Sequence, residues 1–105
     1  MIITLCGSTK FKKEYEEANK SLTLQGHIIL SCGLFGHADN IPLTERQKQM
    51  LDRLHIKKID MSDAIFVINK GGYIGDSTRR EIDHAMGTGK QVEFMFPIAF
   101  EEGAE

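Results

Sequence analysis

The apolar run Asp63-Ala-Ile-Phe-Val-Ile-Asn69, followed by a glycine-rich loop that ends in Asp76-Ser-Thr78, decides the fold of this chain. An unbroken apolar run of this length, rich in β-branched residues, is typical of a strand that is covered on both faces. The glycines then predict a tight loop, and a helix is expected from Arg79 to about Met86. A buried strand that leads through a loop into a helix is the repeating unit of a parallel α/β sheet.

The same alternation of strand and helix extends on both sides of this stretch. Apolar spacing predicts one helix from Lys10 to about Leu24 and a second from Glu45 to about Asp60. Thr44 and Gln47 form a capping-box pattern before the second helix. Further strands are predicted at Ile2–Cys6, His27–Ser31 and Gln91–Phe96. We therefore predict an α/β fold with a parallel sheet of about four strands and helices on both faces.

The length and net charge of the chain restrict its domain organisation and the classes of function that fit it. The chain has 105 residues, which predicts one domain over residues 1–96 and an acidic tail over residues 97–105. A formal net charge of −2 argues against a nucleic-acid-binding surface. The sequence has no long apolar stretch of the kind that forms a membrane span or a signal peptide. A cytoplasmic location is therefore expected. Cys6 and Cys32 are expected to be structural thiols, ahead of a reactive thiol or a metal ligand.

The loop after the first strand contains Gly7, Ser8 and Thr9. Ligands of parallel sheets bind beyond the carboxyl ends of the strands, so this loop is a candidate site. Its hydroxyls and backbone N–H groups suit a phosphate or a sugar hydroxyl. The alternative is a plain strand-to-helix turn with a Ser or Thr cap. The loop is not a P-loop, because the Gly-Lys-Ser/Thr ending is missing.

The loop after the third strand combines Gly75, Asp76, Ser77 and Thr78 with Glu81 in the first helical turn. The hydroxyls and free N–H groups can hold an anion, and the carboxylate points near the same region. The alternative is that Thr78 and Glu81 form only a capping box at the start of the helix.

The loop after the second strand is expected to cover the pocket, with Phe35 stacking on a base. The alternative is a surface loop that is anchored by this one aromatic ring. His37 and Asp39 lie close in sequence, but two ligands do not make a metal site. We therefore predict no metal and no cofactor.

Three features recur in the same order in the nucleoside 2-deoxyribosyltransferase superfamily, which includes nucleoside 5′-monophosphate N-glycosidases. They are a Gly-Ser turn after the first strand, Asp63 opening an apolar strand, and Gly…Thr78-x-x-Glu81-x-x-x-Ala85. The chain resembles that superfamily from Met1 to about Phe94. The resemblance implies a flavodoxin-like, Rossmann-type sheet, in agreement with the pattern of strands and helices.

The resemblance also implies a reaction. The catalytic carboxylate of the superfamily falls at Glu81, which would attack the anomeric carbon and form a glycosyl ester. Water or a second base would then take the sugar. A carboxylate beside an oxocarbenium-like transition state is suited to this chemistry. Gly71-Gly72…Thr78-x-x-Glu81 also resembles a motif of cytokinin-activating phosphoribohydrolases, although its Pro is absent and the spacing is longer.

One position departs from the pattern. The superfamily often has a carboxylate eight residues before the strand-opening Asp, where it contacts the leaving base, and this chain has His55 there. His55 is a candidate proton donor to the base, because imidazole titrates near neutral pH. The alternative is an ordinary histidine on the helix surface.

The substrate is expected to be a small nucleoside or nucleotide. Two rival interpretations stay open: a non-catalytic nucleotide sensor on the same fold, and a flavin-binding redox domain. The position of Glu81 argues against the flavin, whose phosphate would occupy the same helix N-terminus. A homodimer or higher homo-oligomer is expected because the domain is small and the resembling superfamily builds sites across subunit contacts.

Overall fold

The structure is a computed structural model that describes residues 1–97. Within these residues, four strands alternate with three α-helices. The predicted acidic tail lies outside the described residues apart from Pro97. The elements are β1 (Ile2–Gly7), α1 (Lys12–Leu24), β2 (Ile28–Leu30), α2 (Glu45–Asp60), β3 (Ala64–Ile68), α3 (Asp76–Gly87) and β4 (Gln91–Phe94), with a short 3-10 turn at Lys70–Gly72.

All four strands are parallel, in the order β2-β1-β3-β4. Ile3 of β1 pairs with Ile29 on one side and with Ala64 on the other. This order is that of a flavodoxin-like doubly wound sheet, in which strand order reverses between β1 and β3. The predicted fold class is confirmed, and the reversal places a crevice at the carboxyl ends of β1 and β3.

Alternate residues of β1 and β3 build two cores, one on each face of the sheet. Leu5 and Ile68 face α1, where they pack with Tyr15 and Ala18. The other face carries α2 and α3 over a second cluster, which consists of Cys6, Ile59, Ile65, Val67, Ile82 and Ala85. Because successive side chains of a strand point to opposite faces, a fully apolar β3 requires helices on both sides.

Two helix starts differ from the prediction. α1 begins at Lys12 rather than Lys10, because the backbone N–H of Phe11 bonds the Ser8 carbonyl at 3.1 Å in a preceding turn. α3 begins at Asp76, three residues before the predicted Arg79. Thr78 therefore lies inside the helix, and a capping box between Thr78 and Glu81 is wrong.

The predicted capping box of α2 is confirmed. The Gln47 backbone N–H donates to the Thr44 hydroxyl at 3.1 Å, and the Thr44 N–H donates to the Gln47 side chain at 3.0 Å. Two otherwise unpaired donors of the helix start are satisfied by this exchange. α2 is thereby fixed at the end that lies beside the carboxyl edge of the sheet.

β4 forms one edge of the sheet, and it ends at Phe94 rather than at the predicted Phe96. The Asn69 side chain explains the end of the strand. Its amide bonds both the N–H and the carbonyl of Phe96 at 2.9 Å, in place of a continued backbone ladder. In the part of the chain that the structure describes, no helix has the length and apolar character that crossing a membrane requires.

Candidate active site

A cleft of about 880 Å³ opens at the carboxyl end of the sheet, between the loops that follow β1, β2 and β3. This volume lies within the range of roughly 300–1,000 Å³ that is usual for small-molecule sites. Nine of the ten residues that the sequence predicted for the site line it: Gly7, Ser8, Thr9, His55, Gly75, Asp76, Ser77, Thr78 and Glu81.

The loop after β1 depends on Gly7. Its φ of +147° is unfavourable for residues with a side chain, and an added Cβ would lie 2.7 Å from the Ile68 carbonyl oxygen. The Tyr15 hydroxyl donates to the Gly7 carbonyl at 2.8 Å and thereby holds the start of the loop against α1. Glycine therefore lets β1 end close against β3, so that Ser8 and Thr9 reach the cleft.

The N-terminus of α3 forms a second wall. Gly75 occupies the N-cap position, and it has no side chain with which to cap the helix. The first-turn N–H groups of Asp76, Ser77 and Thr78, which have no acceptor inside an α-helix, therefore lie at the cleft. Such groups bind anions and polar oxygens well. The Arg80 guanidinium donates to the Ser77 hydroxyl at 3.2 Å and adds positive charge nearby.

Glu81 of α3 and His55 of α2 meet at the cleft. Glu81 Oε1 lies 3.9 Å from His55 Nε2, and the two side chains are only 12% and 11% exposed. Burial raises the pKa of Glu81 to about 7, with a further increase from the charge of Asp52. Burial lowers the pKa of His55 to about 4, assisted by the charge of Lys58. At neutral pH the imidazole is therefore uncharged, and Glu81 titrates near neutrality.

Cys6 lies behind this pair, with no exposed surface. Its Sγ is 3.6 Å from His55 Nε2. Burial, and then the charge of Glu81, raise the pKa of this thiol well above its ordinary value. The nearby thiol in turn opposes the burial effect and lowers the pKa of Glu81. The prediction of a buried thiol is confirmed, but its contact with the two candidate catalytic residues was not foreseen.

Asp52 is a cleft residue that the sequence analysis missed. It lies three positions before His55 on α2, on the side of the helix that lines the cleft. Its negative charge acts on both Glu81 and His55. A carboxylate is therefore present in the cleft one helical turn before His55, and the (i, i+3) spacing could have indicated it.

Phe35 does not lie where the sequence prediction placed it. Within the described chain it is not among the residues that line the cleft. Its ring packs edge-to-face on Tyr15, with centroids 5.3 Å apart, and it covers the core under α1. The exposed phenol ring at the cleft is that of Tyr73, which is 47% exposed and lies 3.8 Å from Lys10 Nζ, whereas Tyr15 lines the cleft but is buried. The apolar Phe35 ring packs against the core because this removes it from water, whereas the hydroxyl of Tyr73 favours a position near water.

Two groups bear on metal binding. Asp39 forms an ion pair with Lys12 at 3.0 Å, so this carboxylate already has a partner. Cys6, His55 and Glu81 bring three ligand atoms within 4.8 Å of one another. Each comes from a different element, β1, α2 and α3, so that only the folded sheet assembles the set.

Comparison with known proteins supports the fold. No known family profile matches the sequence, and no curated protein matches it either. Among solved structures, the chain is similar to a 2-deoxyribosyltransferase from the psychrotolerant bacterium Bacillus psychrosaccharolyticus. The TM-score is 0.66 at 20% identity, over 94% of this chain and 77% of the other. The superfamily resemblance in the sequence is thus confirmed at the level of the fold.

Proposed function

We propose that the protein cleaves or transfers at the N-glycosidic bond of a nucleoside or nucleoside 5′-monophosphate, with Glu81 as the nucleophile. The observation that carries the proposal is a nearly buried carboxylate at the switch point of the sheet, on the wall of a cleft of about 880 Å³. A desolvated carboxylate with a strongly shifted pKa in such a cleft is typical of a catalytic group. The activity named for the similar solved structure belongs to the same class of reaction.

The proposed reaction has two steps. A Glu81 oxygen attacks C1′ of the sugar while the bond from C1′ to the base nitrogen breaks, and the base leaves with the electron pair. Water or a second base then attacks C1′, and the glycosyl ester bond to Glu81 breaks. Two displacements through an ester divide one high barrier into two lower ones.

The leaving base takes up a proton as it departs. A histidine whose pKa is about 4 is uncharged at neutral pH and is a poor source of that proton. We therefore assign His55 to positioning the Glu81 carboxylate. Asp52 has a carboxylate in the same cleft, and we place it as a hydrogen-bond acceptor for the base, which takes its proton from water.

The sugar and its substituents would lie between the two hydroxyl-bearing walls. Ser8 and Thr9 belong to one wall, and Ser77 and Thr78 to the other. Asp76 would suit a sugar hydroxyl, whereas its charge opposes a phosphate at the same N-terminus. Tyr73, rather than Phe35, is the ring that we assign to the base.

The test is chromatographic. The protein is incubated with ribo- and deoxyribonucleosides and their 5′-monophosphates, with and without an acceptor base, and free or exchanged base is measured. We expect Glu81→Gln to lower turnover at least ~10³-fold, because the nucleophile is lost. The matched control is Asp60→Asn, on the outer part of the same two-helix surface, which should stay within about twofold of the parent.

Trapping the covalent intermediate tests the role of Glu81 as nucleophile separately from the overall activity. A 2-fluoro sugar nucleoside should leave a glycosyl group on Glu81 that mass spectrometry of peptides locates. Full turnover in Glu81→Gln would contradict the proposal. Tight nucleotide binding without base release from any substrate would favour the rival interpretation, a non-catalytic binding module.

A further inference from the structure

Cys6, His55 and Glu81 have the composition and spacing of an incomplete tetrahedral metal site. A Zn²⁺ ion with bonds of about 2.3 Å to sulfur and 2.0–2.1 Å to nitrogen holds those two atoms about 3.6 Å apart. Cys6 Sγ and His55 Nε2 are 3.6 Å apart. A nitrogen and a carboxylate oxygen on the same ion are separated by about 3.4 Å. The His55 Nε2 to Glu81 Oε1 distance of 3.9 Å is about 0.5 Å longer, and the three ligand atoms all lie within 4.8 Å of one another, so a shift of the flexible Glu81 side chain would bring its oxygen into ligand range.

Charge balance also suits a divalent cation. A thiolate and a carboxylate together neutralise a charge of two, and the imidazole adds a neutral nitrogen. A neutral group of this kind can be buried, whereas unpaired charges would be expelled from such a position. Sulfur and imidazole ligands favour Zn²⁺ and similar soft or borderline cations over Mg²⁺ and Ca²⁺, which require oxygen ligands.

The position of the three residues leaves one side of the ion open. His55 and Glu81 line the cleft, and Cys6 is buried behind them. An ion between the three would have its fourth coordination position facing the cleft, where water can bind. Three protein ligands with one position left for water is the arrangement of open zinc sites, in contrast to four-ligand structural sites. The cleft also provides the path by which the ion enters.

We propose that Cys6, His55 and Glu81 form a binding site for a thiophilic divalent cation such as Zn²⁺, and that the bound ion blocks the catalytic carboxylate. On binding, the Cys6 S–H bond breaks and a metal–sulfur bond forms, and the thiol proton passes to the buffer together with any proton that Glu81 carries. Glu81 then coordinates the ion through the oxygen that would attack the sugar. The binding site stands on geometry alone, whereas the inhibition rests on the function proposed above.

Binding is measured first, independently of any activity. Zn²⁺ titration calorimetry on the reduced protein should give one site per chain, and Mg²⁺ should give none. Co²⁺ in place of Zn²⁺ should produce a thiolate-to-cobalt charge-transfer absorption. Cys6→Ser should abolish that absorption and weaken Zn²⁺ binding at least ~10²-fold, since even the loss of an outer-shell partner costs 10–100-fold. His55→Gln should weaken binding comparably.

The controls are Cys32, which is the second thiol of the chain, and His84, which is the second histidine between α2 and α3. Cys32→Ser and His84→Gln should bind Zn²⁺ as the parent does and keep the cobalt absorption. Circular dichroism of each variant establishes that it is folded. Unchanged Zn²⁺ affinity in folded Cys6→Ser, or loss of the absorption in Cys32→Ser instead, would overturn the site.

The inhibition is measured next. Zn²⁺ should suppress base release by the parent, a chelator should restore it, and whatever turnover Cys6→Ser retains should be insensitive to Zn²⁺. Equal inhibition of the parent and of Cys6→Ser would contradict blockage at this site. If no substrate releases base, the proposed function fails, while the calorimetry and the cobalt spectrum still decide whether the metal site exists.

Discussion

Two histidine–carboxylate pairs join α2 to α3, and they differ in almost every physical respect. His84 Nε2 and Asp60 Oδ1 are 2.7 Å apart, with side chains that are 31% and 52% exposed. His55 Nε2 and Glu81 Oε1 are 3.9 Å apart, with 11% and 12% exposed. The exposed pair forms the short contact, whereas the buried pair stays apart and has strongly shifted pKa values.

The comparison shows that burial, rather than residue type, defines the candidate site. Water solvates both members of the exposed pair, so their contact contributes little to stability and is easily replaced. At the cleft, desolvation opposes both charges at once and favours a neutral imidazole beside a partly protonated carboxyl. Such a group is destabilising for the fold but is poised for chemistry near neutral pH.

Substitution of the two histidines is expected to show the largest difference between the buried pair and the exposed pair. His55→Gln is expected to lower kcat by about 10²-fold, because a misplaced Glu81 carboxylate attacks C1′ poorly. KM should change much less, since His55 is assigned to positioning rather than to substrate binding. His84→Gln, the matched control, should stay within about twofold of the parent in both constants. Steady-state kinetics on the best substrate of the panel measures both, and equal losses in the two variants would remove the distinction between the pairs.

Substitution of the carboxylates should act on stability in opposite directions. Glu81 has a folded-state pKa of about 7 against an ordinary value of 4.5, so its ionisation penalises the fold increasingly from pH 4.5 to 7 and fully above. Glu81→Gln should therefore raise the free energy of unfolding at pH 8 by roughly 2–3 kcal/mol. The gain should largely vanish near pH 4.5, where the folded carboxyl group is protonated and the unfolded one is half protonated.

Urea unfolding at the two pH values measures this effect, with Asp60→Asn as the control. That variant removes an exposed contact and should lower stability by about 1 kcal/mol or less. A Glu81→Gln protein less stable than the parent at pH 8 would mean that the buried carboxylate is a structural partner after all.

The pH dependence of turnover tests how Asp52 acts on the buried pair. The nucleophile must be ionised, so kcat/KM should rise with pH through a midpoint near 7, the pKa of Glu81. Asp52→Asn removes a negative charge that raises this pKa, so the rising limb should move to lower pH. Asp83→Asn, on α3 but outside the cleft lining, should leave the midpoint in place. An unmoved midpoint in Asp52→Asn would show that Asp52 does not act on Glu81.

The smallest effect is expected at the exposed pair itself. A double-mutant cycle over His84→Gln and Asp60→Asn should give a coupling free energy below about 1 kcal/mol. Salt should reduce the coupling further, because exposed charges are screened. Thermal unfolding at low and high ionic strength measures it. A coupling of several kcal/mol would place this contact among the main supports of the α2–α3 packing.

The order of the elements could be predicted from the sequence because it depends on local patterns. The apolar run of β3 and the Thr44–Gln47 capping box each lie within a few residues, and both appear in the structure as predicted. The start of α3 was misplaced because Asp, Ser and Thr at 76–78 all suit a helix N-cap, whereas Gly75 occupies it. Competing local signals of similar strength decide a helix end only within a few residues.

The sequence by itself determined an α/β sheet and indicated the loops that line the candidate site, and its family resemblance predicted Glu81 as the candidate catalytic carboxylate. Only the tertiary structure decided that Cys6, His55 and Asp52 surround Glu81, and that Phe35 packs into the core. The physical reason is that a pKa and a ligand geometry depend on how much water surrounds a group and which distant residues contact it. Periodicity records which face of an element is buried, but not which side chains of β1, α2 and α3 meet there.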